Sequence, residues 1–180
     1  MVGVLEELGY VEEFGLTGKG EMLRRIYGEG DILVSEGVAR GVFDGISPSE
    51  LAALLSTLVY ESRERTPSQA EFPTRAMHER YRVLARTWAD IRRIEDGHQV
   101  ELCRELDPGF ASTVFEWAEG KPLEDVLAAA GLAAGDFVRN CKQLLDLLRQ
   151  TETVAGPALA DRAAAAYRAV NRSVVAYTGL

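Results

Sequence analysis

The chain contains few of the side chains that build metal centres and nucleophilic active sites. Of its 180 residues two are histidines and two are cysteines, and none belongs to a Cys-x-x-Cys pair or a His-Glu-x-x-His motif. His78 and His98 lie on one predicted helix, roughly 30 Å apart at 1.5 Å per residue, so they do not share a metal ion. The sequence also lacks a Gly-x-Ser-x-Gly elbow and a dinucleotide-binding fingerprint. We therefore predict no catalytic centre, no metal site and no bound cofactor in this chain.

Cysteine is also too scarce for a disulfide framework. Cys103 and Cys141 lie far apart in the sequence, each among apolar positions of a predicted helical segment. Their number allows a single disulfide, but small apolar cysteines of this kind are usually buried thiols. We expect two buried free thiols.

Long apolar runs are missing as well. No stretch approaches the roughly 20 apolar residues that cross a bilayer. The first ten residues place no basic cluster before their apolar positions, so the sequence does not indicate a secretory signal. These features favour a cytoplasmic globular protein that does not enter a membrane, and nothing in the sequence requires more than a monomer.

Positive charge is in deficit. The net charge is -8, and residues 1–62 hold 11 of the 28 acidic side chains but only 4 of the 20 basic ones. This charge argues against a domain that holds nucleic acid by bulk electrostatic attraction, because that binding depends on many Lys and Arg contacts to phosphates. A local polar strip in the later, more balanced part of the chain could still meet a phosphate backbone.

Residues 15–20 (GLTGKG) lack the spacing of a phosphate-binding loop. That loop requires a glycine five positions before its Gly-Lys pair, and Glu13 is found there. Gly20 follows Lys19, so no hydroxyl is placed for Mg²⁺. We predict a glycine-rich structural turn.

From Gly18 onward apolar residues recur with helical spacing, and this pattern predicts an all-α multi-helix bundle. Residues 10–17 instead predict a small N-terminal β-hairpin. Short breaks divide the remainder into about seven or eight helices. The predicted helices include one that begins after a capping box at Ser47 and ends at Ser62, a long one from Thr74 that bends or breaks at Asp96–Gly97 and resumes to Leu106, one at Phe137–Gln150 and a final one at Ala158–Tyr177.

The helix predicted over Phe137–Gln150 leaves two interpretations open. Its polar residues form one continuous face, the polar stripe, which consists of Arg139, Lys142, Gln143, Asp146, Arg149 and Gln150. A solvated outer face explains this pattern. A track for a nucleic-acid strand explains it too, with cations meeting phosphates and the other groups meeting sugar hydroxyls or base edges. Asp136 is expected to cap this helix.

A second polar group follows the apolar helix that begins after Ser47. Glu61 and Arg63 lie just beyond its apolar residues. An ion pair is enough to explain them, so by themselves they do not indicate a binding site.

Several short segments occur in an order that is more specific than any one of them. They are LTGKG (16–20), DIL (31–33), GVF (41–43), LAALLS (51–56), VYESR (59–63), FEWAEGK (115–121), GDFVR (135–139) and RSVV (172–175). In this order they resemble the C-terminal, DSHCT-type helical bundle of superkiller-type, exosome-associated superfamily 2 DExH-box RNA helicases and of their bacterial relatives. The resemblance extends over nearly the whole chain.

This resemblance implies a division of the chain and a role for the polar stripe. Residues 1–20 would be the tail of a winged-helix domain, with the hairpin as its wing. Residues 21–180 would be the C-terminal helical bundle, with a ratchet-type helix at 136–150. The bundle would contact the single strand during translocation and unwinding through Arg139, Lys142, Gln143, Asp146 and Arg149, helped by Glu61 and Arg63.

The same resemblance implies that the motor lies elsewhere in the parent protein. ATP and Mg²⁺ would bind to two ATPase domains that this chain does not contain, and those domains would be its partners together with single-stranded RNA or DNA. Better-known eukaryotic members have an arginine at the position of Gln143 and a glutamate at the position of Asp146. Because a cation is lost at Gln143, a weaker phosphate contact is expected.

A non-enzymatic function is the alternative. A regulatory or scaffolding module with winged-helix ancestry could bind a basic protein partner through the acidic rim formed by Glu6, Glu7, Glu12 and Glu13. A Walker A motif and a DExH motif upstream in the parent gene would favour the helicase, and their absence would favour the module.

Overall fold

A computed structural model describes residues 1–13, 15–28, 30–62 and 71–177 of the chain. In these residues ten α-helices surround a large apolar core, and a two-stranded antiparallel hairpin lies near the N-terminus. The predicted all-α bundle with a small hairpin is confirmed, with ten helices rather than seven or eight. The elements are α1 (Val2–Glu7), β1 (Val11–Glu12), β2 (Gly15–Leu16), α2 (Gly18–Leu23), α3 (Asp31–Ala39), α4 (Pro48–Val59), α5 (Arg75–Gly97), α6 (Ala111–Ala118), α7 (Leu123–Ala130), α8 (Ala134–Val154), α9 (Pro157–Val170) and α10 (Ser173–Tyr177).

The glycine-rich segment 15–20 leads from the hairpin into α2. The Thr17 hydroxyl donates to the Gly9 carbonyl at 2.8 Å and accepts from the Gly20 N–H at 3.1 Å, which caps α2. A Cβ atom at Gly20 would collide with the carbonyl oxygen of Tyr10. The segment is therefore a structural turn, as its spacing predicts.

A buried carboxylate on α3 fixes the hairpin against the bundle. Glu36 is 3% exposed and accepts from the Tyr10 hydroxyl at 2.9 Å and from Arg40 Nε at 3.1 Å. It also pairs with Lys19, at the start of α2. Tyr10 is fully buried, and burial raises the pKa of its phenol. Two cations and one hydroxyl thus compensate a single buried carboxylate.

α4 is the central helix of the core. The Ser47 hydroxyl accepts from the Glu50 N–H at 3.2 Å, and the Glu50 carboxylate accepts from the Ser47 N–H at 2.7 Å, which completes the predicted capping box. The helix packs against α6, α8 and α9, and its residues are buried along most of its length. It ends at Val59 rather than at the predicted Ser62, because the backbone becomes extended at Tyr60.

α5 begins at the predicted Thr74 cap but ends sooner than predicted. It stops at Gly97 and does not resume to Leu106, so that part of the prediction is wrong. The buried carboxylate of Glu95 accepts from the Cys103 N–H at 2.9 Å. This bond ties the returning chain to the helix and replaces a further helical turn.

The predicted final helix is two helices. α9 ends at Val170 and α10 begins at Ser173. The Trp117 indole N–H donates to the Val170 carbonyl at 2.9 Å, and the Arg172 guanidinium carbon lies 3.4 Å from the centre of the Trp117 ring. Because the Val170 carbonyl and the Arg172 guanidinium both contact Trp117, the backbone departs from helical geometry between them. The prediction of one helix over Ala158–Tyr177 is therefore wrong.

Both cysteines are free and buried, as predicted, although Cys103 follows α5 in a segment that is not helical. Burial raises the pKa of the Cys141 thiol to about 12, and it raises the pKa of Cys103 as well. Neither thiol is therefore activated as a nucleophile.

The described part of the chain shows neither of two features that would suggest another class of protein. No cluster of three or more His, Cys, Asp or Glu side chains in it is arranged to hold a metal ion. None of its helices combines the length and apolar character needed to cross a bilayer.

Candidate nucleic-acid interface

α8 presents the polar stripe on the outside of the bundle. The helix begins at Ala134 and is longer at both ends than predicted. Ala133 is its N-cap residue, so the predicted cap at Asp136 is wrong. Asp136 lies in the first turn, where a negative charge stabilises the helix dipole. The opposite face of the helix packs into the core through Phe137, Asn140, Cys141, Leu144, Leu145, Leu147, Leu148 and Thr151.

An open groove follows the polar stripe along α8. Three adjoining cavities of about 300, 550 and 400 Å³ share lining residues and together form what we call the α8 groove. Across from α8 lie the end of α4 with the residues after it, and the segment between α2 and α3. The lining includes Asp136, Arg139, Asn140, Gln143, Asp146, Leu147 and Gln150 from α8, and Tyr27, Asp31 and residues 58–62 from the other side.

The wall after α4 is held in place by the segment that follows α5. Arg104 donates to the Tyr60 carbonyl at 2.8 Å and to the Glu61 carboxylate at 3.3 Å. Asp107 accepts from the Ser62 N–H at 2.7 Å. The Glu61 side chain remains 77% exposed, so it is positioned at the groove without being buried.

A hydrogen bond joins the described residues between α2 and α3 to the last turns of α8. Gln150 Oε1 accepts from the Tyr27 N–H at 2.7 Å. Tyr27 and Asp31 line the same cavity as Gln143 and Asp146. Gln150, a residue of the polar stripe, therefore fixes where this wall stands relative to the helix.

The structure brings four of the seven predicted site residues together at the groove: Arg139, Gln143, Asp146 and Glu61. Lys142 is half-buried and is not among the described lining residues. Arg149 lies 4.6 Å from the centre of the Tyr167 ring and donates to its hydroxyl, on the side of α9. Arg63 lies outside the described residues. Nucleic-acid contacts by these residues stay predictions.

The groove carries more negative than positive charge. Arg139 is 63% exposed and pairs with Asp136 at 3.4 Å. Glu61 and Asp146 add two exposed carboxylates. Asp31 is half-buried, and burial raises the pKa of its carboxyl group. Because Arg139 is the one cation among the described lining residues, this groove attracts phosphates only weakly by charge.

The prediction of the site from the sequence missed Tyr27, Asp31 and Asn140. Tyr27 and Asp31 flank a glycine-rich break in the helical pattern, and a large aromatic residue beside such a break is a usable signal for a functional loop. Asn140 falls near the apolar face of α8 and is 7% exposed. Its place at the edge of the groove follows only from how α8 packs.

Comparison with known proteins gives a family match over most of the chain. The profile of the DSHCT (NUC185) domain matches residues 14–178. The chain is 38% identical over 192 residues to the "Probable helicase HelY" of Mycobacterium leprae, and this match covers 98% of the chain. It is also 29% identical over 150 residues to the Superkiller complex protein 2 of Homo sapiens, and 24% identical over 153 residues to the ATP-dependent RNA helicase mtr4 of Schizosaccharomyces pombe, in each case covering 82% of the chain.

These relatives are much longer than the chain. The matched part is 21% of the mycobacterial protein, 12% of the human protein and 14% of the yeast protein. The chain therefore corresponds to about one fifth or less of each relative.

Proposed function

We propose that this chain, which belongs to the DSHCT (NUC185) domain family, is the C-terminal accessory domain of an ATP-dependent RNA helicase. In this proposal the α8 groove contacts the single strand while the parent protein translocates and unwinds RNA. ATP and Mg²⁺ bind to motor domains outside this chain, and residues 1–20 are the tail of a winged-helix domain. The helicase names of relatives that match 98% and 82% of the chain support the assignment.

One structural observation supports the groove as the contact surface. Polar side chains from two separate elements line a single cavity, with Arg139 and Gln143 on α8 and Glu61 after α4. A solvated helix face needs no second wall. Here the second wall is fixed by Arg104 and Asp107, which is expected of a surface that must keep its shape around a ligand.

The groove offers more hydrogen-bonding groups for the riboses and bases of RNA than cations for its phosphates. Arg139 can donate to a phosphate oxygen, whereas the carboxylates of Asp146 and Glu61 accept hydrogen bonds from ribose 2′-hydroxyl or base amino groups. Gln143 can donate and accept at a base edge. With few cations, the isolated domain should bind weakly, and the parent motor must keep the strand close.

The test is the double substitution Arg139→Ala plus Gln143→Ala in the parent helicase. Both side chains are exposed in the groove, so the fold should be retained, while RNA affinity should fall about tenfold and RNA-stimulated unwinding should fall with it. Arg86→Ala is the matched control, because it removes one exposed cation from α5, away from the groove lining. Normal unwinding by the double variant would show that the polar stripe is only a solvated face.

A second experiment distinguishes this proposal from the alternative, a scaffolding module that binds a protein partner. A titration of the chain with single-stranded RNA at low salt should shift the backbone NMR signals of Arg139–Gln150 and should leave the acidic rim unchanged. Within that rim Glu7 is already engaged, because its carboxylate lies 3.0 Å from Nε2 of His98, the residue that follows α5. Shifts confined to Glu6, Glu12 and Glu13 on addition of a basic peptide, with none from RNA, would support the scaffolding module instead.

A further inference from the structure

We infer that the Tyr27 side chain is a stacking platform for an unpaired base at the end of the α8 groove nearest Gln150. This inference rests on the proposed function, because it assigns a base contact within the same groove. It adds a contact from the residues between α2 and α3, where no site residue was predicted.

The exposure of Tyr27 is the first observation. Its side chain is 76% exposed, whereas most aromatic side chains of the described residues are buried or half-buried. Within the described part of the chain, its ring and hydroxyl make no hydrogen bond or ring contact. A large aromatic group left in water at a cavity lining is available for a ligand.

The position of Tyr27 is fixed although its ring is free. Its N–H donates to Gln150 Oε1 at 2.7 Å, so its backbone is attached to the last turns of α8. Gln143 and Asp146 line the same cavity. A strand that lies along α8 would therefore pass the Tyr27 ring next to those polar groups.

The charge of the groove makes a stacking contact physically useful. Arg139 is the one cation among the described lining residues, so phosphate contacts supply little affinity. Stacking on an aromatic ring depends little on base identity, because every base has a π face. A domain that must accept any sequence as the strand moves needs contacts of this kind.

The experiment measures binding of the 180-residue chain to two fluorescent oligonucleotides at low salt. One is an adenosine strand, and the other has the same length and charge but abasic spacers in place of its nucleosides. The original chain should bind the adenosine strand more tightly than the abasic one, and Tyr27→Ala should lower this ratio of affinities about tenfold, because one stacked base is lost while the base contacts of Gln143 and Asp146 remain. Tyr27→Phe should keep the ratio, because the ring remains. Tyr177→Ala is the matched control, since Tyr177 is 86% exposed on α10 and does not line the groove.

The outcomes distinguish the inference from the proposed function. If the original chain binds RNA and Tyr27→Ala binds the adenosine strand equally well, the stacking role is wrong and the groove proposal stands. Loss of binding in Tyr27→Phe as well as in Tyr27→Ala would assign the effect to the hydroxyl and would also refute stacking. If the original chain binds the adenosine strand no more tightly than the abasic one, or binds neither, the inference fails, and the unwinding test on the parent helicase decides the proposed function separately. Circular dichroism confirms that each variant is folded.

Discussion

Arg172 connects the FEWAEGK and RSVV segments, two of the segments whose order along the chain resembles that of the helicase family. Its guanidinium stacks on the ring of Trp117 and donates to the Trp117 carbonyl at 2.7 Å and to the Lys121 carbonyl at 2.6 Å. Burial lowers the pKa of Arg172. The FEWAEGK and RSVV segments are therefore linked by contacts within the bundle, and the structure gives their resemblance a packing explanation.

At Arg172 we predict a loss of stability on substitution. Arg172→Ala should lower the free energy of unfolding by about 2 to 3 kcal/mol, because it removes charged hydrogen bonds and a cation–π contact. Urea denaturation followed by tryptophan fluorescence measures this change. Arg168→Ala, which removes an exposed arginine from α9, should change the stability by less than about 0.5 kcal/mol. Equal effects of the two substitutions would contradict a structural role specific to Arg172.

Among the elements, the starts of α4 and α5 are joined through one side chain. One carboxylate oxygen of Glu50 accepts from the Ser47 N–H at 2.7 Å, and the other accepts from the Thr74 hydroxyl at 2.6 Å. Thr74 in turn accepts from the Met77 N–H at 3.1 Å. Each helix start therefore depends on the cap of the other.

This arrangement predicts energetic coupling between Glu50 and Thr74. In a double-mutant cycle with Glu50→Ala and Thr74→Ala, the coupling energy should be about 1 kcal/mol, since each single substitution already removes their shared hydrogen bond. Thermal or urea unfolding of the four proteins gives the value. Thr74→Ser keeps the hydroxyl and should retain most of the stability, whereas additive effects of the two alanine substitutions would exclude the link.

Element boundaries show how far local sequence information extends. The caps at Ser47 and Thr74 were predictable, because a cap depends on side chains within three or four residues of it. The end of α5 was not, because it is set by the buried carboxylate of Glu95 and the returning backbone at Cys103. The cap of α8 was misplaced for a related reason: Ala133 has the extended backbone of an N-cap without a capping side chain.

Only the α8 side of the candidate site could be predicted, because only that side depends on local spacing. Helical spacing alone places Arg139, Gln143 and Asp146 on one face. Their second wall depends on contacts between distant parts of the chain, so Tyr27 could not be assigned from spacing. Arg149 shares the polar stripe on a helical wheel, yet it lies against Tyr167 of α9, which no pattern within α8 indicates.

Over the whole molecule, two of the four basic side chains of the acidic first third lie around one carboxylate where the hairpin meets the bundle. Glu36 receives Lys19 and Arg40 and is shielded from water, while Glu12 and Glu13 stay on the surface. The attachment of the N-terminal region therefore depends on an ion cluster as well as on apolar packing.

Removing the charge of Glu36 should loosen this attachment. We expect Glu36→Gln to lower the free energy of unfolding by about 3 kcal/mol, because two cations lose a buried partner. Limited proteolysis should then cut near Gly18 before the bundle is cleaved. Glu12→Gln changes the net charge by the same amount at an exposed position and should leave both the stability and the cleavage pattern unchanged. If Glu36→Gln leaves both the free energy of unfolding and the cleavage pattern unchanged, apolar contacts alone hold the hairpin.

The hydrogen bond between Tyr27 and Gln150 also affects the order in which parts of the molecule fold. Its partners are 123 residues apart, so it forms only after a loop that includes most of the chain has closed. Contacts of such long range are formed late in folding, and during synthesis the Tyr27 segment emerges long before α8. We therefore expect the groove to be among the last features to be assembled, after the core of the domain is complete.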